Sequence, residues 1–297
     1  MIPLQTIVNV ASPTLTLEHN RPILLIGSCF TEHIGNHLAD CGFQVMINPF
    51  GILYNPASIA QCLYHCIHNI PIDSSQLIQH EGIWHSWLHH SCFSNIDPQQ
   101  CLNQCNQSIS DTHQFLQQNP IIILTLGTAW VYDYQGQIVA NCHKIPNNKF
   151  IKKLLSIEEI TSQFQSLQLG DTIITISPIR HWADTPHGNQ LSKSTLMLAT
   201  HQLPYSYFPA YEIMMDELRD YRFYEQDMLH PSSLAIDIIW ERFFNTYFTK
   251  ETQQIAEKFS QLHKMEAHRP LFPQSDAYQK HLARIEQLKI ELKKYIQ

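Results

Sequence analysis

Short unbroken apolar runs punctuate the chain, separated by stretches with helical spacing. Residues 21–27 (RPILLIG), 120–126 (PIIILTL) and 171–177 (DTIITIS) carry the pattern of strands buried on both faces of a parallel sheet. After the first run, Ile34 and Leu38 stand at i, i+4 and Gly42 follows, which predicts a short helix over 31–41. Residues 43–47 (FQVMI) read as the next strand, so the chain opens with a βαβ unit. Helical spacing returns over 55–69, 98–118, 156–167, 191–203 and 232–248, then over 250–267 and 275–296; residues 207–215 read as extended, then helical. Residues 130–142 alternate around Gln135-Gly136, which predicts a hairpin appended to the sheet edge. Residues 82–93 are aromatic and histidine-rich without a period. Strands alternating with helices predict an α/β fold, a three-layer α/β/α sandwich on a mostly parallel sheet, closed by C-terminal helices.

Composition narrows the function classes. Hydrophobic residues make up 44% and charged residues 15%, which excludes a disordered chain. The net charge of -7 gives no electrostatic reason for nucleic acid or an anionic membrane as partner. The opening MIPLQTIVNV lacks the basic start and apolar run of a secretory signal, and no stretch approaches the roughly 18 apolar residues of a membrane span. A cytoplasmic location is therefore expected. The eight cysteines are expected to be thiols, with Cys62/Cys66 and Cys101/Cys105 spaced for helix faces rather than a zinc ribbon. Eighteen histidines assign no metal by number alone, and His85, His89 and His90 have no carboxylate or cysteine in ligand frame with them.

Two constellations carry chemistry. Gly27-Ser28-Cys29-Phe30 joins a strand end to a helix start, where open α/β sheets bind ligands and helix N–H groups stabilise an anion. For a cysteine there, the helix terminus is expected to lower the thiol pKa below about 8.5; the other reading is a buried Ser-Cys pair packing the helix start. Asp227-Met228-Leu229-His230-Pro231-Ser232 places a carboxylate and an imidazole across one turn, an arrangement that fixes the tautomer of a general base. Its other reading is a helix cap with an incidental histidine. Arg180 and His181 follow the strand at 171–177, at the same carboxyl edge; Arg180 either clamps an anionic group or pairs with an acid of the MMDELRD segment.

Taken together, IGSCF (26–30), NPFGILYNP (48–56), TLGTAWVY (125–132), NCHK (141–144), SPIRHW (177–182) and YFPAYEIMMDELRDYRFYEQDMLHPS (207–232) resemble the GSCFA family, in order, over about 20–248. That family is similar to the SGNH/GDSL hydrolases. Here its name motif ends in Thr31 rather than alanine. The resemblance implies a catalytic domain over 1–250 with a helical extension, 251–297, packed on it. It puts Cys29 at the nucleophile position, with Ser28 one residue earlier as the fallback, and Asp227 and His230 as orienter and base. It points to Gly51 in NPFG, across a one-residue insertion, and to Gly127 and Thr128 in TLGTAW for the oxyanion and substrate. Ala129 stands where the oxyanion asparagine belongs, and Asn141 is the candidate substitute, its other reading being a turn-forming residue. The implied activity is acyl-ester hydrolysis or acyl transfer through a covalent acyl-enzyme on a small-molecule or carbohydrate ester, with no cofactor. Two rivals stay open: a binding module on a hydrolase-like fold, and a metal-assisted enzyme using Cys142, His143, His181 or His230.

Overall fold

The computed structural model describes residues 6–295. In chain order the elements are β1 (Ile23–Gly27), α1 (Cys29–Asp40), β2 (Val45–Ile47), α2 (Pro56–Ile67), β3 (Leu77–His80), β4 (Ile83–Ser86), α3 (Pro98–Leu116), β5 (Ile121–Leu126), β6 (Trp130–Tyr134), β7 (Gln137–Val139), β8 (Ile151–Leu154), α4 (Ile157–Leu167), β9 (Thr172–Ile176), α5 (Thr185–His201) and β10 (Ser206–Phe208). There follow α6 (Ala210–Glu212), extended by a π-helical turn over Ile213–Glu217, then α7 (Ser233–Tyr247), α8 (Lys250–Glu266) and α9 (Asp276–Leu292).

The apolar runs assemble into one parallel sheet in the order β10-β9-β5-β1-β2. Side chains alternate across each strand, so every run feeds two cores. Leu24, Ile26, Ile122, Leu124 and Ile174 face one side with residues of α2, α3, α4 and α5. Ile23, Leu25, Ile121, Ile123 and Ile173 face the other with residues of α1 and α7. Ile23 to Ile26 are fully buried, each contributing about 1.5–3 kcal/mol of transfer free energy. This is the α/β/α sandwich that the alternation of runs and helices predicts.

The strand order places a switch point between β1 and β5. From there the chain winds to β2 in one direction and to β9 and β10 in the other. Open sheets of this order bind ligands in the crevice beyond the carboxyl ends of the two diverging strands.

Three local readings are corrected. The hairpin β6–β7 is not on the edge of the main sheet; with β8 it forms a separate antiparallel sheet, because the chain turns away after β5 and pairs Trp130 with Leu154. Strand β4 lies within the stretch 82–93 that shows no period and pairs with β3 just before it. The turn between them, Glu81-Gly82, has both residues at positive φ (49° and 79°), the geometry usually signalled by Asn-Gly or Asp-Gly. Helix α5 begins at Thr185, with a proline in its first turn, rather than at 191. Towards the C-terminus α8 packs on α1. The Phe259 ring fills the space beside Gly42, where a Cβ would lie 2.2 Å from it. Ile285 and Leu292 of α9 cover α8. Among the described residues no helix is long and apolar enough to cross a membrane.

Candidate active site

Gly27 ends β1 beside Thr125 of β5. A Cβ on Gly27 would lie 2.2 Å from the Thr125 carbonyl oxygen, so only glycine allows the two strands this close at the switch point. The Gly27 N–H donates to Asn48 Oδ1 at 2.9 Å and the Ser28 N–H to Thr125 O at 3.2 Å. The turn that follows is therefore pinned to both neighbouring segments.

Ser28 and Cys29 then point in different directions. Ser28 occupies the N-cap of α1, but its side chain does not cap the helix. It is buried, and its hydroxyl donates to Ser177 Oγ at 3.0 Å, at the end of β9. Cys29 lines two clefts instead. With the serine turned inward, the first N–H groups of α1 remain for the sulfur, and those of Phe30 and Cys29 itself lie against Sγ.

The expectation of a lowered thiol pKa is not met. Burial raises the Cys29 thiol above its ordinary value, and Glu32 adds to this. The two N–H groups and Lys193 pull in the opposite direction without prevailing.

The second constellation folds as a closed loop. Glu225 N–H donates to His230 O at 2.8 Å, Met228 N–H to Glu225 O at 2.9 Å, and Ser232 N–H to Phe223 O at 2.8 Å. Met228, at φ 60°, tightens the turn. Asp227 Oδ1 accepts the N–H groups of Leu229 (2.9 Å) and His230 (3.0 Å), while Oδ2 lies 2.5 Å from His230 Nδ1. These donors hold the Asp227 carboxyl down to about 2, so the carboxylate is ionised at neutral pH. It fixes Nδ1 as the protonated nitrogen and leaves Nε2 to accept a proton. His230 lines the same two clefts as Cys29, although no hydrogen bond joins their side chains among the described residues.

The larger cleft, of ≈ 500 Å³, is walled by Tyr54, Trp130, Tyr132 and Trp182, with Asn55, Thr128, Asn141, Arg180 and His181 on its polar face. Arg180 stacks over Trp182 at 4.8 Å and takes part in no salt bridge among the described residues, which removes its pairing with the MMDELRD acids. The His181 imidazole is kept neutral by burial and by the nearby Lys193 charge, its pKa lowered to about 4; its Nε2 is buried without a partner. The smaller cleft, of ≈ 400 Å³, runs between α1 and α7 past His33, Ile179, Glu225 and Asp237.

The oxyanion donors read from the sequence fare unequally. Gly51 is corrected. Its N–H closes a turn on Asn48 O at 2.7 Å, its φ of 74° turns the chain against His90, and it lines neither cleft. The N–H groups of Gly127 and Thr128 both donate to Tyr54 O, at 2.7 and 3.0 Å, so these residues fix the cleft wall rather than offer backbone donors. Asn141 accepts the His143 N–H at 2.8 Å, which leaves its NH2 for the cleft. Asn55 was not singled out by sequence reasoning. Its Oδ1 caps α2 through the Ser58 N–H at 2.8 Å, which commits the oxygen and leaves a rigidly held NH2 on the wall that Cys29 also lines.

Sequence reasoning placed a helix at α5 but missed what two of its residues hold. Ser192 binds the Ala129 N–H (2.8 Å) and Thr128 Oγ1 (3.0 Å), while Lys193 Nζ donates to Gly127 O (2.8 Å) and Ser177 O (2.9 Å). Helix α5 thus supports the turn Gly127-Thr128-Ala129. Ala129 itself is buried in the core. Cys142 borders the larger cleft, but the His143 ring is buried against His85 and held by Ser86 O. Among the described residues no three His, Cys, Asp or Glu side chains come together to hold a metal ion.

A family model described as the GSCFA family matches residues 22–243, a span that contains both constellations and every strand of the parallel sheet. The chain belongs to the GSCFA family. No curated protein and no solved structure matches it significantly. In this GSCFA chain the motif Gly27-Ser28-Cys29-Phe30 is the pinned turn at the switch point.

Proposed function

We propose that this GSCFA protein is an acyl-ester hydrolase or acyltransferase working through a thioester on Cys29. The observation that carries this reading is that Cys29, at the start of α1, and His230, oriented by Asp227, line the same clefts at the switch point. Ser28, with its hydroxyl turned to Ser177, is the weaker nucleophile.

In the reaction, Sγ attacks the acyl carbonyl and its proton passes to His230 Nε2. The carbonyl oxygen takes the negative charge, facing the Cys29 N–H and the Asn55 NH2, with Asn141 lining the same cleft as a further donor. Collapse of the tetrahedral intermediate breaks the ester C–O bond, and His230 returns the proton to the leaving alkoxide. Water or a second alcohol, deprotonated by His230, then attacks the thioester and releases Cys29 as the thiol.

The aromatic walls of the larger cleft suit a small-molecule or carbohydrate ester, whose rings stack on Tyr54, Trp130 and Tyr132. The two clefts meeting at Cys29 favour transfer over hydrolysis, one holding the donor and the other the acceptor. The eight free thiols suit a reducing cytoplasm. The occupied N–H groups of Gly51, Gly127 and Thr128 favour the rival reading, a binding module without turnover.

Steady-state release of p-nitrophenol from short-chain p-nitrophenyl esters, with and without added alcohols, separates these readings. The enzyme reading expects turnover abolished in Cys29→Ala and His230→Ala, and accelerated by an acceptor alcohol if transfer operates. Turnover unchanged in both variants overturns it.

A further inference from the structure

We propose that Arg180 is the subsite for an oxyanion, a carboxylate or a phosphate, carried by the alcohol part of the ester that enters the larger cleft. The inference deepens the acyl-enzyme reading by naming a substrate class, and it rests on that reading for placing an ester there.

The other arginines of the chain have partners or open water. Arg21, Arg222 and Arg242 pair with Asp171, Asp220 and Glu217, and Arg219, Arg269 and Arg284 are exposed. Arg180 is half-buried in the cleft wall, and its guanidinium enters no salt bridge and no hydrogen bond among the described residues. Trp182 covers one face of it, with the ring centre 4.8 Å from Cζ. Stacking of this kind engages the face and leaves the N–H donors, which lie in the guanidinium plane, unspent. That planar fork matches a carboxylate or a phosphate bidentately.

The cleft's charges point the same way. Asp184 lines it, but its carboxylate is bound by Lys152. His230 has its own carboxylate in Asp227. Arg180 is left as a cation without a counter-charge in a space of ≈ 500 Å³ that Cys29 and His230 also line, and it does not line the smaller cleft.

The mount is rigid. The Ser177 N–H donates to Leu126 O at 2.8 Å, Ile179 is buried, and the His181 N–H donates to Asn189 Oδ1 at 2.9 Å. The backbone on both sides of Arg180 is thus fixed to β5 and α5, so little ordering is lost when a ligand binds. In this arrangement the acyl group meets Cys29, the alcohol's ring stacks on the aromatic wall, and the oxyanion takes the edge of Arg180.

Binding without turnover tests this. Three aryl alcohols differ at one position: 4-hydroxybenzamide is neutral, 4-hydroxybenzoate carries a carboxylate and 4-hydroxyphenyl phosphate a phosphate. Each is titrated into the intact protein at low ionic strength, with the tryptophan indole N–H signals followed by NMR. In the wild type at least one anion should bind about tenfold or more tighter than the amide. The ratio should fall to about one in Arg180→Met and lie between the two in Arg180→Lys, which keeps the charge and loses the fork. Preference for the benzoate identifies the group as a carboxylate, and preference for the phosphate identifies it as a phosphate.

A wild type that binds the amide as well as both anions, or binds neither anion measurably, overturns the proposal. So does a preference that survives in folded Arg180→Met. If Arg180→Met does not fold, the Arg180 Nε–H signal of the wild type, assigned by its loss in Arg180→Lys, decides: it should shift with the preferred anion and not with the amide, and a signal indifferent to all three overturns the proposal equally. An anion preference through Arg180 in a protein that forms no acyl adduct sinks the acyl-enzyme reading alone. An acyl adduct on Cys29 without the preference sinks this inference alone.

Discussion

Replacing Lys193 with methionine should change not only how stable the protein is but how its stability depends on pH. The lysine amine titrates at about 10.5 in an unfolded chain and is brought down to about 7 in the fold by burial. Between those values the unfolded chain binds a proton that the folded chain does not, so stability rises with pH. The contribution is fully present above the unfolded value and is lost as pH falls through about 7. Each unit of pH in that window is worth about 1.4 kcal/mol. From about pH 7.5 to about pH 9.5 the lysine form should therefore gain about 2.7 kcal/mol over the methionine form. The whole window corresponds to roughly 5 kcal/mol. Superimposed on this slope is a constant term, because methionine leaves the carbonyls of Gly127 and Ser177 without their donor, a loss of about 1–3 kcal/mol for each. The comparison is made in a Cys29→Ala background so that the thiol does not titrate. Removing its raising influence on Lys193 only widens the window. Urea unfolding of both proteins across this range gives the difference directly. Parallel stability curves would refute the reasoning, for they would mean that the buried amine does not change protonation on unfolding.

Other substitutions test the parts of the site separately. Asp227→Asn should lower kcat/KM for an ester by about 100-fold or more, through loss of the oriented imidazole. In the parent the orienting carboxylate persists as pH is lowered until about 2, where it protonates, so activity lost at higher pH must come from another group; ester kinetics across pH measure both. Ser28→Ala should retain the acyl adduct and cost about 1 kcal/mol in urea unfolding, for the hydrogen bond to Ser177. Asn55→Asp keeps an acceptor for the α2 cap but removes the NH2, so kcat should fall about 100-fold or more while the melting temperature is largely kept. Gly27→Ala must open the β1–β5 contact at Thr125 and should destabilise by about 1–3 kcal/mol in urea.

Most of the sheet was legible because strands buried on both faces leave unbroken apolar runs. Residues 23–26, 121–124 and 172–176 carry that signal. The two reactive segments were legible for a related reason: each sits where an element ends, at Gly27 and at the Ser232 cap of α7, so the residues that position it adjoin it in sequence. What escaped notice depends on contacts made at long range. Lys193 meets the β5 and β9 ends from 66 and 16 residues away, and its own segment looks like a polar helix surface. The only local trace is that Asn189, Ser192, Lys193, Leu196 and Thr200 share one helical stripe and are all buried. Asn55 was read only as the start of the helical stretch 55–69; it is the cap of α2, and that its other amide atom faces the cleft depends on where α2 docks. Gly51 erred the opposite way. A motif placed it at the oxyanion, while its backbone is committed to a turn against His90.

The central claim is a covalent acyl group on Cys29, and intact mass after mixing with p-nitrophenyl acetate tests it most directly. The account predicts a single transient acetyl adduct, cleaved by neutral hydroxylamine as a thioester, mapped to Cys29, absent in Cys29→Ala, present in Ser28→Ala and slowed in His230→Ala. An adduct that persists in Cys29→Ala, or one lost in Ser28→Ala while that protein remains folded, would contradict it.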